Sequence, residues 1–328
     1  MSEKILVTGG TGFTGRNLSL KLLEKGYEVR ALVRKGSRYE DLEKSGCEIA
    51  FGDLANGSGI DAAARGVDVV YHIAAAFRVE GVAKKYFWDV NVEGTRKLLD
   101  ASLRYHVRRF VHCSTVGVHG EIEHPPADET APFRPGDHYQ QSKLDGEKLA
   151  LSYVKKGLGV VVFRPAGIFG PGDTRFLKLF KPVSKGTFYM IGKGKNLYHL
   201  TYIDDLVEGI VMCGEKEGIE GEAFILAGPA FCTVRELVRA IAKSLGRSVN
   251  IRSIPVGPVW AAAVACEVIC RALRIEPPLF RRRLDFFLKD RAFDISKARR
   301  ILGYEPRVSL NDGLLRTVEW YRAKNLII

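Results

Sequence analysis

Tyr139 and Lys143 stand four residues apart in DHYQQSKLDGE, residues 137–147. On a helix, positions i and i+4 share a face, so a phenol and an ammonium point the same way. A free phenol titrates near about 10, too high for a base at neutral pH. A neighbouring cation favours the phenolate and brings that value down. A tyrosine tuned this way can take or return an alcohol's proton as hydride moves. RRFVHCST looks like a fifth strand ending at Ser114 and Thr115, and a hydroxyl there could hold the substrate oxygen. The spacing alone also describes an ordinary surface pair, and the N-terminus decides between the two.

The chain opens KILVTGGTGFTGRNLSLKLLEKGYEVRALVR. An apolar β-branched run ends in glycines, a helical pattern follows, and a second strand comes next at Val29 to Val33. This is the opening of a doubly wound parallel sheet. Gly10, Gly12 and Gly15 fit GxGxxG, and Gly9, Gly12 and Gly15 fit GxxGxxG, with Thr11 and Phe13 inside the turn. Such a backbone turns tightly and offers helix N–H groups to a pyrophosphate. The second strand ends ALVRKGSR, where an NAD site usually carries an acid. Arg34, Lys35 and Arg38 stand there instead, and guanidinium groups bind a 2′-phosphate well. NADP is therefore preferred to NAD, with simple loop charge as the alternative. A third strand, CEIAFGDL, reaches Asp53 and Leu54 at the adenine edge. A fourth, VDVVYHIAAAF, runs into Ala74 and Ala75, small enough for a cofactor to pass close.

These motifs lie in 328 residues that are 46% hydrophobic, enough for a large α/β domain and a smaller lobe. The net charge of +12 attracts anions without fixing a fold. The six cysteines show no CxxC pair or metal spacing, which suits reduced thiols in the cytoplasm. Strand residues from Lys4 leave no signal peptide. The apolar run 256–275, VGPVWAAAVACEVICRALRI, is broken by Gly257 and Pro258 and is too short to span a bilayer. A helix packed in the smaller lobe is favoured. A helix touching a membrane or lining an apolar pocket through Trp260, Val264, Val268 and Ile269 is the alternative, with Arg281, Arg282 and Arg283 near anionic head groups.

Together TGGTGFTG, GDL at 52–54, HIAA at 72–75, NVEGT at 91–95, CST at 113–115, YQQSK at 139–143 and RPAGIFGPGD at 164–173 resemble an extended short-chain dehydrogenase/reductase. The resemblance implies a Rossmann doubly wound parallel sheet with a smaller, mostly helical C-terminal substrate lobe. Residues 1–165, with 200–228 returning to them, would bind NAD(P). Residues 166–199 and 229–328 would hold the substrate. Tyr139 would be the acid/base, and Lys143 would hold the nicotinamide ribose. Thr115 would bind the substrate oxygen beside Ser114, Asn91 would support the site, and Pro165 would line the cofactor. On residue chemistry alone Asn91 is equally a helix N-cap. Asp204 and Asp205 are expected to cap a helix and to fix the lobes together. His72, His112, His119 and His199 are read as structural. The family commonly forms homodimers, with helices at 84–104 and 138–156 as candidates.

Three departures separate the chain from the sugar-nucleotide branches. Gly167 replaces an Asn, Tyr198 replaces an Arg, and Val116 and Gly117 replace an Asp-Glu pair after the active-site Thr. RPAGIFGPGD, GKGKNLYHLTYIDD and DRAFDISKARRILGYEP are more similar to the 3β-hydroxysteroid dehydrogenase and sterol-4-carboxylate 3-dehydrogenase branch. That branch often uses NAD, which pulls against Arg34 and Arg38. The expected partner is a small hydrophobic molecule, not a nucleic acid. An NDP-sugar 4-epimerase and a non-enzymatic cofactor-binding protein are the alternatives.

Overall fold

The computed structural model describes residues 2–77, 83–273, 275 and 281–327. The strands in chain order are β1 (Lys4–Thr8), β2 (Glu28–Val33), β3 (Glu48–Phe51), β4 (Val69–His72), β5 (Arg109–Cys113), β6 (Gly159–Pro165), β7 (Gly167–Phe169), β8 (Thr187–Ile191), β9 (Leu197–Tyr202), β10 (Ala223–Leu226), β11 (Phe231–Thr233) and β12 (Asn250–Ile254). Seven form one parallel sheet in the order β10-β6-β5-β4-β1-β2-β3. The chain order reverses between β4 and β2, on either side of β1. Ligands of such sheets bind beyond the carboxyl ends of the strands at that point.

Near-continuous apolar strands are what a sheet covered on both faces requires. Alternate residues feed two separate cores. Ile5, Val7, Val111 and Val161 pack with Leu18, Leu22, Leu206 and Ile210 from the helices Phe13–Glu24 and Ile203–Glu215. Leu6, Val70, Phe110 and Val160 pack on the opposite face with Leu98, Leu99 and Ala150 from the helices Gly94–Arg104 and His138–Ser152. The opening motif is thus held between two fully buried layers.

The rest of the chain is not helical alone. β7, β9 and β11 form a second sheet, and β8 pairs with β12 in parallel. Helices Leu177–Ser184, Val234–Ser244, Val256–Leu273 and Leu310–Ala323 surround them. As caps, Asp204 and Asp205 differ from expectation. The helix Ile203–Glu215 has Tyr202 at its N-cap with no side-chain cap, and both acids lie in its first turn. There they suit the positive end of the helix. The Asp205 carboxylate accepts from the backbone N–H groups of Arg307 and Val308, both at 3.0 Å, pinning the C-terminal segment to this helix.

Candidate active site

The glycine turn closes at the end of β1. Gly9 has φ +73°, the left-handed region that favours glycine, and a Cβ there would lie 2.8 Å from the Ala74 nitrogen. A Cβ on Gly15 would fall 2.2 Å from the Gly9 carbonyl oxygen. Helix, turn and β4 therefore touch through backbone. Gly12 differs, since a Cβ there would meet only the Gly9 carbonyl at 3.3 Å. The helix Phe13–Glu24 has Gly12 at its N-cap, no side-chain cap and no acid in its first turn. Its first N–H groups are left for an anion, and the turn fits a dinucleotide pyrophosphate.

A chain of polar contacts ties this turn to the tyrosine helix. Thr8 Oγ1 lies 2.8 Å from His72 Nδ1, and His72 Nε2 lies 2.9 Å from Thr95 Oγ1. Thr95 donates to the Asn91 carbonyl at 2.8 Å. Asn91 Oδ1 accepts from the Ala76 N–H at 2.7 Å, and Asn91 Nδ2 donates to Ser142 Oγ at 2.9 Å. Asn91 is no N-cap. It sits in the π-helical stretch Asp89–Glu93, where one extra residue turns its carbonyl and side chain into the structure. Gly146 makes the approach feasible, because a Cβ there would lie 2.4 Å from the Asn91 carbonyl oxygen.

The helix His138–Ser152 begins at Asp137, whose carboxylate accepts from the Gln140 N–H. Tyr139 is half-buried, its ring 4.8 Å from that of Phe77, just beyond Ala74 and Ala75. One turn on, Lys143 is buried and donates to the Cys113 carbonyl at 2.5 Å. Burial lowers the Lys143 ammonium below its ordinary value, with Cys113 and Glu147 opposing. β5 ends at Cys113. Thr115 then opens a short 3-10 turn, its Oγ1 accepting from the Gly117 N–H at 3.1 Å. Phenol, ammonium and Thr115 hydroxyl thus belong to elements that meet at the ends of β4 and β5, beside the glycine turn.

Ser114 points elsewhere. It is buried and donates to Glu147, which pairs with Arg164 through Nη2 at 2.5 Å and Nε at 3.2 Å. Arg164 Nη1 reaches the Glu129 carbonyl at 3.0 Å and His119 Nε2 at 3.1 Å. Both ion partners are buried, so each is the other's counter-charge inside the fold. Ser114 is a strut of this network. Pro165, buried beside Leu226 at the end of β6, closes the same wall.

At the end of β3, Asp53 Oδ1 accepts from the Ala55 N–H at 2.9 Å and shapes the following turn. Leu54 is buried behind it. Arg34, Lys35 and Arg38 are exposed at the end of β2, and none has an ion pair among the described residues. At this edge they lie two strands from β4, apart from the tyrosine helix.

All four notable histidines are buried, and burial lowers their pKa values. For His72 the value falls to about 3, burial acting first and Lys143 second. A folded value below the unfolded one means stability held above about 6.5 and lost as pH falls toward 3. One such group contributes a slope of about 1.4 kcal/mol per pH unit in that window. Urea unfolding should give lower stability at pH about 5 than at 7, with a shallower dependence in His72→Gln. Equal stabilities at the two values would contradict it.

Sequence reading passed over Thr8, Phe77, Thr95, Ser142, Gly146 and Glu147. Thr8, Thr95 and Ser142 stood inside quoted motifs with no role assigned, and Gly146 carried its own sign, since a glycine within a helical pattern marks a close backbone approach. The others become visible only when β1, β4 and two helices are brought together.

A Rossmann sheet with an uncapped glycine turn and a Tyr-Lys helix at its switch point defines a nicotinamide-dinucleotide enzyme. The model of the NAD dependent epimerase/dehydratase family matches residues 5–227, and the chain belongs to that family, as an NAD(P)-dependent extended short-chain dehydrogenase/reductase. It is 31% identical to a 3-beta-hydroxysteroid dehydrogenase of Mycolicibacterium neoaurum, over 97% of this chain and 91% of that one. It is also 31% identical to a 2-alkyl-3-oxoalkanoate reductase of Stenotrophomonas maltophilia, covering 95% and 98%. The UDP-glucuronic acid 4-epimerase of Bacillus cereus, solved in complex with NAD, superposes with a TM-score of 0.79 at 26% identity, covering 98% and 99%.

Proposed function

We propose that this enzyme interconverts a secondary alcohol and a ketone on a hydrophobic, sterol-like or lipid-like molecule, with NADP preferred to NAD. The observation that carries the reading is the packing at Gly167. A Cβ there would lie 2.9 Å from Leu200 Cδ2 and 3.1 Å from Tyr198 Cε1. Two of the positions that read sugar nucleotides elsewhere in the family thus fill each other, glycine beneath tyrosine. The Tyr198 ring packs on Phe286 at 5.0 Å, an apolar wall where a diphosphate would need a cation. The dehydratase acids meet a similar obstacle. A Cβ on Gly117 would lie 3.2 Å from Gln140 Nε2 and 3.3 Å from Thr115 Oγ1.

When bound, the nicotinamide supplies or accepts hydride. The protein's own groups do the rest. Thr115 holds the substrate oxygen and stabilises its developing charge. Tyr139 takes the hydroxyl proton in oxidation and returns it in reduction. The Lys143 ammonium favours the phenolate form of Tyr139 and holds the nicotinamide ribose. Asn91 and Ser142 fix the tyrosine helix against β4, so orientation is set before substrate arrives.

Turnover of a 3-hydroxysteroid or a 2-alkyl-3-oxo acid should change nicotinamide absorbance in proportion to product. NDP-sugars should give no turnover. Conversion of an NDP-sugar to its epimer without net cofactor change would overturn the reading. Arg34→Ala with Arg38→Ala should weaken NADP binding about 10- to 100-fold and leave NAD binding nearly unchanged, as loss of charge-assisted phosphate bonds implies. Equal losses for both cofactors in a direct binding titration would remove the NADP preference.

A further inference from the structure

The helix Val256–Leu273 turns an apolar face to solvent. Pro258, Ala261, Ala262, Ala265, Val268 and Ile269 are exposed, and the spacing places them on one side. Within the stripe Val268 and Ile269 are 61% and 58% exposed, whereas Trp260, also exposed, stands on the opposite side of the helix from Ile269. Glu267 is the single charge between Val256 and Cys270, and it is half-buried. Single exposed apolar residues need no explanation, but a charge-free face of this extent does. Among the described residues no helix is long and apolar enough to cross a membrane.

A basic groove adjoins the helix in the chain. Lys178, Lys181, Lys185 and Arg252 line it together with Tyr189, which is 56% exposed. Arg252 and Tyr189 are partners in the β12–β8 register, and the helix begins four residues beyond Arg252. None of these four cations has a carboxylate partner or a hydrogen bond among the described residues. Elsewhere on the surface Lys and Arg are commonly paired, as Lys4 with Glu48 and Arg104 with Asp61. The expected contribution of 281–283 concerns side chains outside those described.

The geometry points to an anionic lipid surface as the occupant. The helix lies on the bilayer with Ala265, Val268 and Ile269 in the headgroup boundary, and the unpaired lysines meet lipid phosphates. An apolar face beside uncompensated positive charge is the combination such binding uses. A second copy of the chain would bring the same unpaired cations against themselves. Lipid binding does not depend on the substrate reading, because it would bring any membrane-dissolved substrate to the second lobe.

Co-flotation of the full-length protein tests the proposal. Phosphatidylglycerol–phosphatidylcholine vesicles should carry the protein up, and pure phosphatidylcholine should carry far less. Val268→Ser with Ile269→Ser should lower binding about tenfold or more, as should Lys178→Glu with Lys181→Glu. High salt should weaken the wild type through screening. Circular dichroism identifies any variant that has lost its fold, and the lysine pair then carries the test alone. Absence of wild-type flotation, or flotation unchanged in both folded variants, overturns the proposal. So does lipid-free self-association that the apolar variant abolishes, since a second copy would then cover this face.

Discussion

Tyr139→Phe should lower turnover about 10²- to 10⁴-fold, the range expected for losing a positioned proton donor and acceptor. Cofactor affinity should hold within a few-fold. The change removes one oxygen and keeps the ring that packs 4.8 Å from Phe77. The pyrophosphate turn, Gly9 to Gly15, lies on another element and is untouched. Stopped-flow turnover and a fluorescence titration of bound reduced cofactor separate the two effects. Loss of both together would mean that the phenol oxygen also holds the cofactor or the local fold, and does not serve the proton transfer alone. Unchanged turnover would remove Tyr139 from the chemistry.

The second large effect is on stability. Glu147→Ala should destabilise the fold by about 3–5 kcal/mol, because it leaves the Arg164 guanidinium buried without its counter-ion. Glu147 and Arg164 are among the most enclosed charged side chains of the chain, and Ser114, His119 and the Glu129 carbonyl all bond to the pair. Replacing both, as Glu147→Leu with Arg164→Met, should recover part of the loss, since a buried pair exchanged for apolar groups is often nearly neutral. Denaturant unfolding of the two single variants and the double variant measures this directly. A Glu147→Ala midpoint equal to wild type would show that the pair contributes nothing to the fold.

Much of this arrangement was legible in the residues. The glycine turn and the Tyr-Lys spacing were visible because each depends on local rules, left-handed backbone in one case and helical periodicity in the other. The sheet followed from apolar runs broken by turns, and strands ended within a few residues of expectation. What was hidden depends on distance across the fold. The π turn at Asn91 has no sequence rule, and its purpose appears only when Ser142 and Ala76 arrive from two other elements. Ser114 and Thr115 are neighbours with similar hydroxyls, yet one faces the Glu147 network and the other opens the 3-10 turn. Alternation along the chain could separate their directions but not name their partners. Asp204 and Asp205 looked like caps that also fix the lobes together, and the sequence named no partner for either. The tie from Asp205 to residues 307 and 308 spans about a hundred positions, and no local pattern reports it.

The central claim is that Tyr139 moves a proton while hydride passes between cofactor and a hydrophobic carbonyl compound. A single-turnover reaction with reduced cofactor deuterated at C4 reads it most directly. The account predicts one deuterium on the carbinol carbon of the product for each oxidised cofactor released, and almost none from Tyr139→Phe in the same time. Product formed without label, or labelled equally fast by Tyr139→Phe, would contradict it.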